Sequence, residues 1–380
     1  MSMFNFELSG LIINLHQNLI SMNFYKSVVR PILFQLSADR AHELAIDFSS
    51  FVSRSNLLTG LLTPIYRNDD PRLKQQIWGL QFNNPVGLAA GFDKNGTVLR
   101  LIEALGFGFS EVGSITANAG TGNPKPRSFR LPDDRSLINR LGLNNDGAKT
   151  VVKRLKKNKI TIPLGINIAK THNPDISGKS ALEDYNFSFT LAKEIADYIT
   201  INISCPNTAE GKTFEDPETL NSLLTHLEVG NDASDPPVLI KLSVDLDDGR
   251  LKELLTVAEN YAVSGYVATN TSSRRDNLTT HSKTIRTIGS GGLSGKSIQH
   301  QSTRIIEQIS EFTKGEKTII GVGGVFTAQD AIEKLKAGAD LIQIYTGMVY
   351  EGPAIAKNIN SGIVQYLEEN GLEHVYQIKS

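Results

Sequence analysis

From residue 85 onward, short apolar runs recur along the chain, separated by stretches of helical spacing. Eight such runs are "PVGLAAG" (85–91), "GFSEVGSI" (108–115), "IPLGINIA" (162–169), "YITINIS" (198–204), "PVLIKLS" (237–243), "GYVATNT" (265–271), "TIIGVGGV" (318–325) and "LIQIYTG" (341–347). Near-continuous apolar strands suit a parallel sheet covered on its outer face. Between most of them lie helical patterns such as "GTVLRLIEALG", "FSFTLAKEIAD", "LKELLTVAENYAV" and "AQDAIEKLKAG". Eight βα repeats predict an α/β fold of the (β/α)8 TIM-barrel type rather than a doubly wound sheet. The gaps after "GSI" and "TNT" are long, and excursions over the open face are expected there.

The chain ahead of the barrel has a different rhythm. Phe24, Val28, Ile32 and Leu36 recur at i+4, with Pro31 expected to end or kink the segment. Ala41, Leu44, Ala45, Phe48, Phe51 and Val52 form a second stripe, with Ser37 as its N-cap. These helices are either a cap on the larger domain or a pair resting in a membrane surface, with Lys26 and Arg30 at the headgroups. The segment "LLTGLLTPIYRNDDP" (57–71) is rich in turn residues and reads as a linker, and "LKQQIWGLQFNNP" after it as a hairpin.

Composition narrows the function classes. Lys plus Arg (39) nearly balances Asp plus Glu (40), so no overall field favours nucleic acid. A single cysteine excludes an internal disulfide and a thiolate zinc cluster, and suits a reducing compartment. The histidines show no i,i+4 pair, so no metal site is expected. The most apolar N-terminal stretch, residues 8–22, is broken by Asn14, His16, Gln17 and Asn18 and lacks a basic n-region; neither a spanning helix nor a signal peptide is expected.

In a barrel of this kind chemistry sits where strands end. Those ends carry Ala89, Ala90, Gly91 and Lys94; Ser114; Asn167; Asn202, Cys205 and Asn207; Lys241; and Thr269, Asn270 and Thr271. Glycines after the seventh and eighth strands commonly hold a phosphate, so Gly323, Gly324, Tyr345 and Thr346 suggest a phosphorylated ligand. Asn167, Asn202, Asn207, Asn270 and Asn139 each present a donor pair and an acceptor. Together they fit a planar heterocycle with alternating C=O and N–H groups, either a pyrimidine dione or a flavin ring. Lys94 and Lys241 could stabilise negative charge on a reduced ring or a carboxylate.

These stretches resemble the dihydroorotate dehydrogenase family. "NPVGLAAGFDKNG", "EVGSIT…GNPKPRSFRLP…INRLG", "INISCPNT", "IKLS", "TNTS", "GGLSGK", "GVGGV" and "IQIYTG" match its blocks in order across about residues 84–347. "FYKSVVRPILFQLSADRAHELA" is similar to the helical extension of its quinone-using class 2. The resemblance implies a membrane-associating helical extension (1–60), a catalytic barrel (61–380), and FMN-dependent oxidation of dihydroorotate to orotate in pyrimidine biosynthesis. It implies FMN contacts at Ala89, Ala90, Gly91, Ser114, Asn167, Asn202, Lys241, Thr269, Ser294, Gly295, Gly323, Gly324, Tyr345 and Thr346. The substrate is expected at Lys94, Asn139, Arg140, Leu141, Gly142, Leu143, Asn202, Asn207, Asn270 and Thr271.

Cys205 then stands where the family keeps the base that takes the C5 proton while hydride leaves C6 for the flavin. By itself, a lone cysteine is more often a small buried hydrophobe. His42, Arg130 and Tyr345 occupy the positions that line the family's quinone tunnel. The implied partners are dihydroorotate or orotate and a membrane quinone, at the cytoplasmic face of a bacterial cell membrane, for a monomer or homodimer that binds no nucleic acid. Two positions depart from class 2: Cys205 replaces its usual serine and Leu143 its usual phenylalanine, both as in the soluble class 1 enzymes. A class 1 oxidase using fumarate, or another FMN barrel reductase of a uracil-like ring, are the alternative readings.

Overall fold

The computed structural model of the chain describes residues 24–158, 160–204 and 214–379. Its centre is a closed barrel of eight parallel strands: β3 (Val86–Leu88), β4 (Phe109–Ile115), β7 (Leu164–Ile168), β8 (Tyr198–Asn202), β9 (Val238–Leu242), β10 (Gly265–Ala268), β12 (Thr318–Val322) and β13 (Leu341–Ile344). They pair in sequence order, and β13 closes on β3 through Ile342↔Val86 and Ile344↔Leu88. All eight apolar runs thus become barrel strands. Helices lie between most of them, among them Leu99–Ala104, Gly178–Lys193, Asp248–Ala258 and Ala328–Lys336.

The interior is graded. At the end where strands begin, Phe109, Tyr198, Leu239, Val267, Ile320 and Leu341 pack as one apolar cluster. The hairpin of β1 (Gln75–Ile77) and β2 (Leu80–Phe82) caps that end, turning at Trp78 and Gly79, both with positive φ. Phe82 meets the Phe109 ring edge-on at 5.5 Å, and Trp78 lies 5.6 Å from Tyr198. Further along the same strands come Glu111, Thr200, Lys241 and Gln343, all buried. One end is therefore an aromatic plug, and the other is polar.

The two long gaps form the expected excursions. β5 (Ser128–Leu131) and β6 (Ser136–Asn139) arise after β4, and β11 (Gly292–Gly295) after β10. They pair antiparallel in the order β11–β6–β5. This small sheet carries Asn139 and Ser294 to the polar end.

The N-terminal helices dock beside that sheet. Residues 24–35 run as one helix that is wider than an α-helix over Tyr25–Val29; Pro31 lies just past this wider stretch and does not end the helix as expected, which continues to Gln35. The chain breaks at Leu36, and Ser37 accepts from Arg40 N to start Ala38–Ser53, as its N-cap reading required. Tyr25 OH donates to Val349 O at 2.8 Å, Arg30 to Tyr350 O at 3.0 Å, and Lys26 pairs with Glu351. The linker reading of 57–71 is corrected: Asn56–Tyr66 is a helix capped by the Ser55 hydroxyl, and it runs through residue 60. Gly60 and Pro64 suggested a turn, but Pro64 falls in the last turn, where it displaces a single backbone bond.

Candidate active site

The open end holds a cavity lined by strand ends and loops. Its walls include Ala89, Ala90, Gly91, Lys94, Ser114, Asn202, Lys241, Thr269, Asn270 and Thr271 from the strand ends. Asn139 reaches it from the end of β6, Leu141, Gly142 and Leu143 from the loop that follows, Ser294 and Gly295 from β11, and Gly323, Gly324, Tyr345 and Thr346 from the last two strand ends. Cys205 and Asn207 lie outside the described residues.

Two expected members sit elsewhere. Asn167 is fully buried and does not line the cavity; it accepts a hydrogen bond from Ser114 Oγ, which does. Arg140 does not line the cavity either. Its guanidinium donates to Ile288 O at 2.5 Å and Ser290 O at 3.0 Å and covers the Phe129 ring at 4.6 Å. A guanidinium satisfied by carbonyls and an aromatic face braces the loop and leaves Leu141 to Leu143 to face inward.

The amides form a directed chain. Asn270 Nδ2 donates to Asn202 Oδ1 at 3.2 Å, and Asn202 Nδ2 donates to Ser114 Oγ at 3.0 Å. Ser114 Oγ donates to Asn167 Oδ1, and Asn167 Nδ2 donates to Glu111 Oε1 at 2.8 Å. The chain ends on Glu111, whose other oxygen accepts from Gln343 at 2.7 Å, Thr200 at 3.1 Å and Tyr198 at 3.3 Å. An amide can flip, but one anchored on an acceptor-only carboxylate has a single orientation. Glu111 was not singled out from the sequence, although a lone glutamate inside the apolar run "GFSEVGSI" was its signal.

Two buried polar atoms on the cavity wall, Thr269 Oγ1 and Gln343 Oε1, have no partner among the described residues. Buried groups of this kind call for a ligand or water. The glycines are equally telling. A Cβ on Gly324 (φ +73) would lie 2.4 Å from Gln299 Cβ, and one on Gly91 (φ +98) would lie 3.3 Å from the Tyr345 ring. A side chain at Gly324 would collide with Gln299, and positive φ disfavours one at either position, so backbone forms that wall.

Burial tunes the titratable groups. Lys94 is pushed down to about 8, first by burial and then by Arg127, with Asp93 and Asp39 opposing. Burial holds the Tyr345 phenol up at about 12, so it stays neutral. His42 falls to about 3 through burial, Lys94 and Arg127, and is a neutral imidazole at any working pH. Tyr345, Phe92 and His42 stack edge to face at 5.8 and 5.5 Å, an aromatic path from the cavity wall to the Ala38–Ser53 helix. Arg130 instead clamps the end of Arg30–Gln35, donating to Leu36 O at 2.9 Å, Leu33 O at 3.2 Å and Phe34 O at 3.3 Å. Among the described residues no group of His, Cys, Asp and Glu could hold a metal ion.

Comparisons with known proteins agree with this arrangement. The family model described as dihydroorotate dehydrogenase matches residues 72–367. A dihydroorotate dehydrogenase (quinone) of Trichodesmium erythraeum is 40% identical over 373 residues, covering 93% of this chain and 97% of the relative. That of Christiangramia forsetii is 40% identical over 343 residues, covering 90% and 99%. A crystal structure of DHODH from Eimeria tenella in complex with ferulenol superposes with a TM-score of 0.80 at 29% identity, covering 92% of this chain and 98% of that one. With its closed barrel, its polar mouth and a family match over most of its length, this chain belongs to the dihydroorotate dehydrogenase family.

Proposed function

We propose that this chain oxidises dihydroorotate to orotate in pyrimidine biosynthesis, using FMN bound in the barrel mouth and a membrane quinone as final acceptor. The observation that carries the reading is the amide chain Asn270–Asn202–Ser114–Asn167, locked on Glu111 and facing a cavity that Lys94 also lines. Fixed donors and acceptors of this kind read the edge of a planar ring. FMN supplies the electron acceptor for the substrate. Thr269, Gln343 and Lys241 would meet its ring, and Gly323, Gly324 and Thr346 its phosphate.

The chain's own residues divide the remaining work. The Lys94 ammonium pairs with the substrate carboxylate, and Asn139, Asn202 and Asn270 fix the ring in the plane from which it reacts. Cys205 takes the C5 proton. Support for that assignment comes from Ser204, the residue before it. Ser204 is fully buried, its hydroxyl bonds to Asn202, and its carbonyl accepts from Asn270 Nδ2 at 3.2 Å. The peptide therefore leaves β8 within the amide cluster. Asn207 would add a further amide.

Lys94 makes the substrate step sensitive to pH. With its ordinary value lowered to about 8, the ammonium is lost as pH rises through that value. Orotate affinity, read from the flavin absorbance shift, is expected to fall about tenfold per unit above pH 8. Lys94→Met should flatten that slope and weaken binding by about 1.5–3 kcal/mol. A wild-type profile that stays flat to pH 10 would remove Lys94 from the substrate site.

The helical extension is read as a membrane-resting element. Among the described residues no helix is long and apolar enough to cross a bilayer. Yet Phe24, Val28, Ile32, Leu36, Leu44, Phe48, Phe51, Leu57, Leu61 and Ile65 are all exposed, and among the other described residues only Phe187 and Tyr376 are comparable. Exposed apolar surface concentrated on three consecutive helices marks a docking face. Phe48→Ser, Phe51→Ser, Leu57→Ser and Leu61→Ser together should cut vesicle binding at least about tenfold. Flavin reduction by dihydroorotate should be unchanged; equal vesicle binding by the variant would refute the assignment.

The test of the whole reading is a steady-state assay of dihydroorotate with quinone, fumarate and NAD in parallel. Turnover with quinone alone supports it. Fumarate is included because Cys205 and Leu143 follow the class 1 pattern, and turnover with fumarate alone would replace the acceptor assignment.

A further inference from the structure

A fully buried lysine lies behind the glycine turn. Lys334, on the Ala328–Lys336 helix, is 0% exposed. Its side chain runs along β12, with Cδ 3.4 Å from where a Cβ on Gly321 would stand. The ammonium donates to Ser302 Oγ at 2.9 Å and Thr303 Oγ1 at 3.2 Å. Ser302 in turn donates to Val322 O at 2.8 Å, and its Cβ lies 3.0 Å from the Cβ position of Gly323. One hydroxyl therefore separates the cation from the turn of Gly323 and Gly324.

No carboxylate forms an ion pair with this ammonium among the described residues. The charged groups around it are Asp330, Glu333 and Lys296. Asp330 is already taken by Lys296 at 2.9 Å, Gln299 at 2.8 Å and the N–H groups of Phe326 and Thr327. Glu333 accepts from Gln299 and Gln329, each at 3.3 Å. An ammonium held by two hydroxyls alone is poorly compensated in a dry interior. An anion on the far side of the turn would supply the missing charge.

We propose that Lys334 is the rear counter-charge of the anion-binding turn, protonated when a phosphate monoester dianion occupies Gly323 and Gly324, so that cofactor loading takes up a proton. This rests on the reading that FMN's phosphate sits at that turn. Burial lowers Lys334 to about 7, with Asp330 and Glu333 raising it and Lys296 lowering it further. The lysine is therefore poised to change state near neutrality, and a dianion nearby would raise it again. Lys334 acts through the turn and is a positioning residue.

The measurement is release of FMN on dilution of the purified holoprotein, followed by free-flavin fluorescence between about pH 7 and pH 9. Riboflavin, which lacks the phosphate, serves as the comparison ligand. FMN should dissociate more readily as pH rises, whereas riboflavin should lack that trend. Lys334→Met should hold FMN about tenfold more weakly at pH 7 and remove its share of the slope, with riboflavin affinity unchanged. Equal weakening of both flavins would make Lys334 a packing residue and overturn the proposal. Should the variant fail to fold, calorimetry of FMN binding to the wild type at pH 8 in two buffers decides. Uptake of a proton supports the proposal, and none refutes it. A wild type that binds FMN no tighter than riboflavin would refute the phosphate assignment itself.

Discussion

Cys205→Ala is expected to slow reduction of the flavin by dihydroorotate about 10²–10⁴-fold, the usual loss when a positioned base is removed. The substrate's C5 proton must leave as C6 is oxidised, and the base must stand within hydrogen-bond reach of it. A thiol, with an ordinary value of about 8.5, ionises near working pH without help, whereas a serine needs a relay. Cys205→Ser should therefore retain part of the rate and move its pH dependence upward. Reoxidation by quinone should be unaffected in both variants, which separates a lost base from a damaged acceptor site. The chain has one thiol, so alkylation can be assigned without mapping. Orotate should protect it. An unchanged rate of flavin reduction in Cys205→Ala would return this residue to the status of core filler.

The second large effect is expected at Glu111. It is fully buried and accepts from Asn167, Tyr198, Thr200 and Gln343. Glu111→Leu strands four donors, each costing about 1–3 kcal/mol when unmet, so a loss of at least about 3 kcal/mol in stability is expected. The gentler Glu111→Gln separates fold from function. Its amide nitrogen replaces one of the two acceptor oxygens, and turning it toward Asn167 would reverse that amide. Ser114 Oγ would then face two donors, Asn167 and Asn202, and would no longer donate to Asn167. Orotate affinity is expected to fall about five- to thirty-fold, with the melting temperature changing far less than in Glu111→Leu. If Glu111→Gln binds orotate as the wild type does, the amides are oriented without the carboxylate.

The barrel was legible because its signal is periodic: eight apolar runs ending in polar residues map onto eight strands. The mouth was legible for the same reason, since a strand end is a position in the sequence. What was missed lies where position along a strand does not reveal direction. Asn167 is near the end of β7, yet it bonds beneath Ser114 instead of lining the cavity. Arg140 sits among cavity residues, yet its long side chain folds back onto Phe129. Glu111 and Lys334 interrupt apolar patterns, and such interruptions are easily read as noise until their partners are known. The Asn56–Tyr66 helix was hidden by Gly60 and Pro64, because composition overstated what two residues near its middle and end can break.

The aromatic plug has a practical consequence. Trp78 is the chain's only tryptophan, and it packs on Tyr198 and Phe82 at the end of the barrel away from the mouth. Its fluorescence therefore reports the closed end, while flavin absorbance would report the open one. During unfolding these two signals give a built-in test of cooperativity: coincident transitions mean the barrel melts as a single unit. A flavin signal lost first would mean that the mouth loosens while the plugged end still holds.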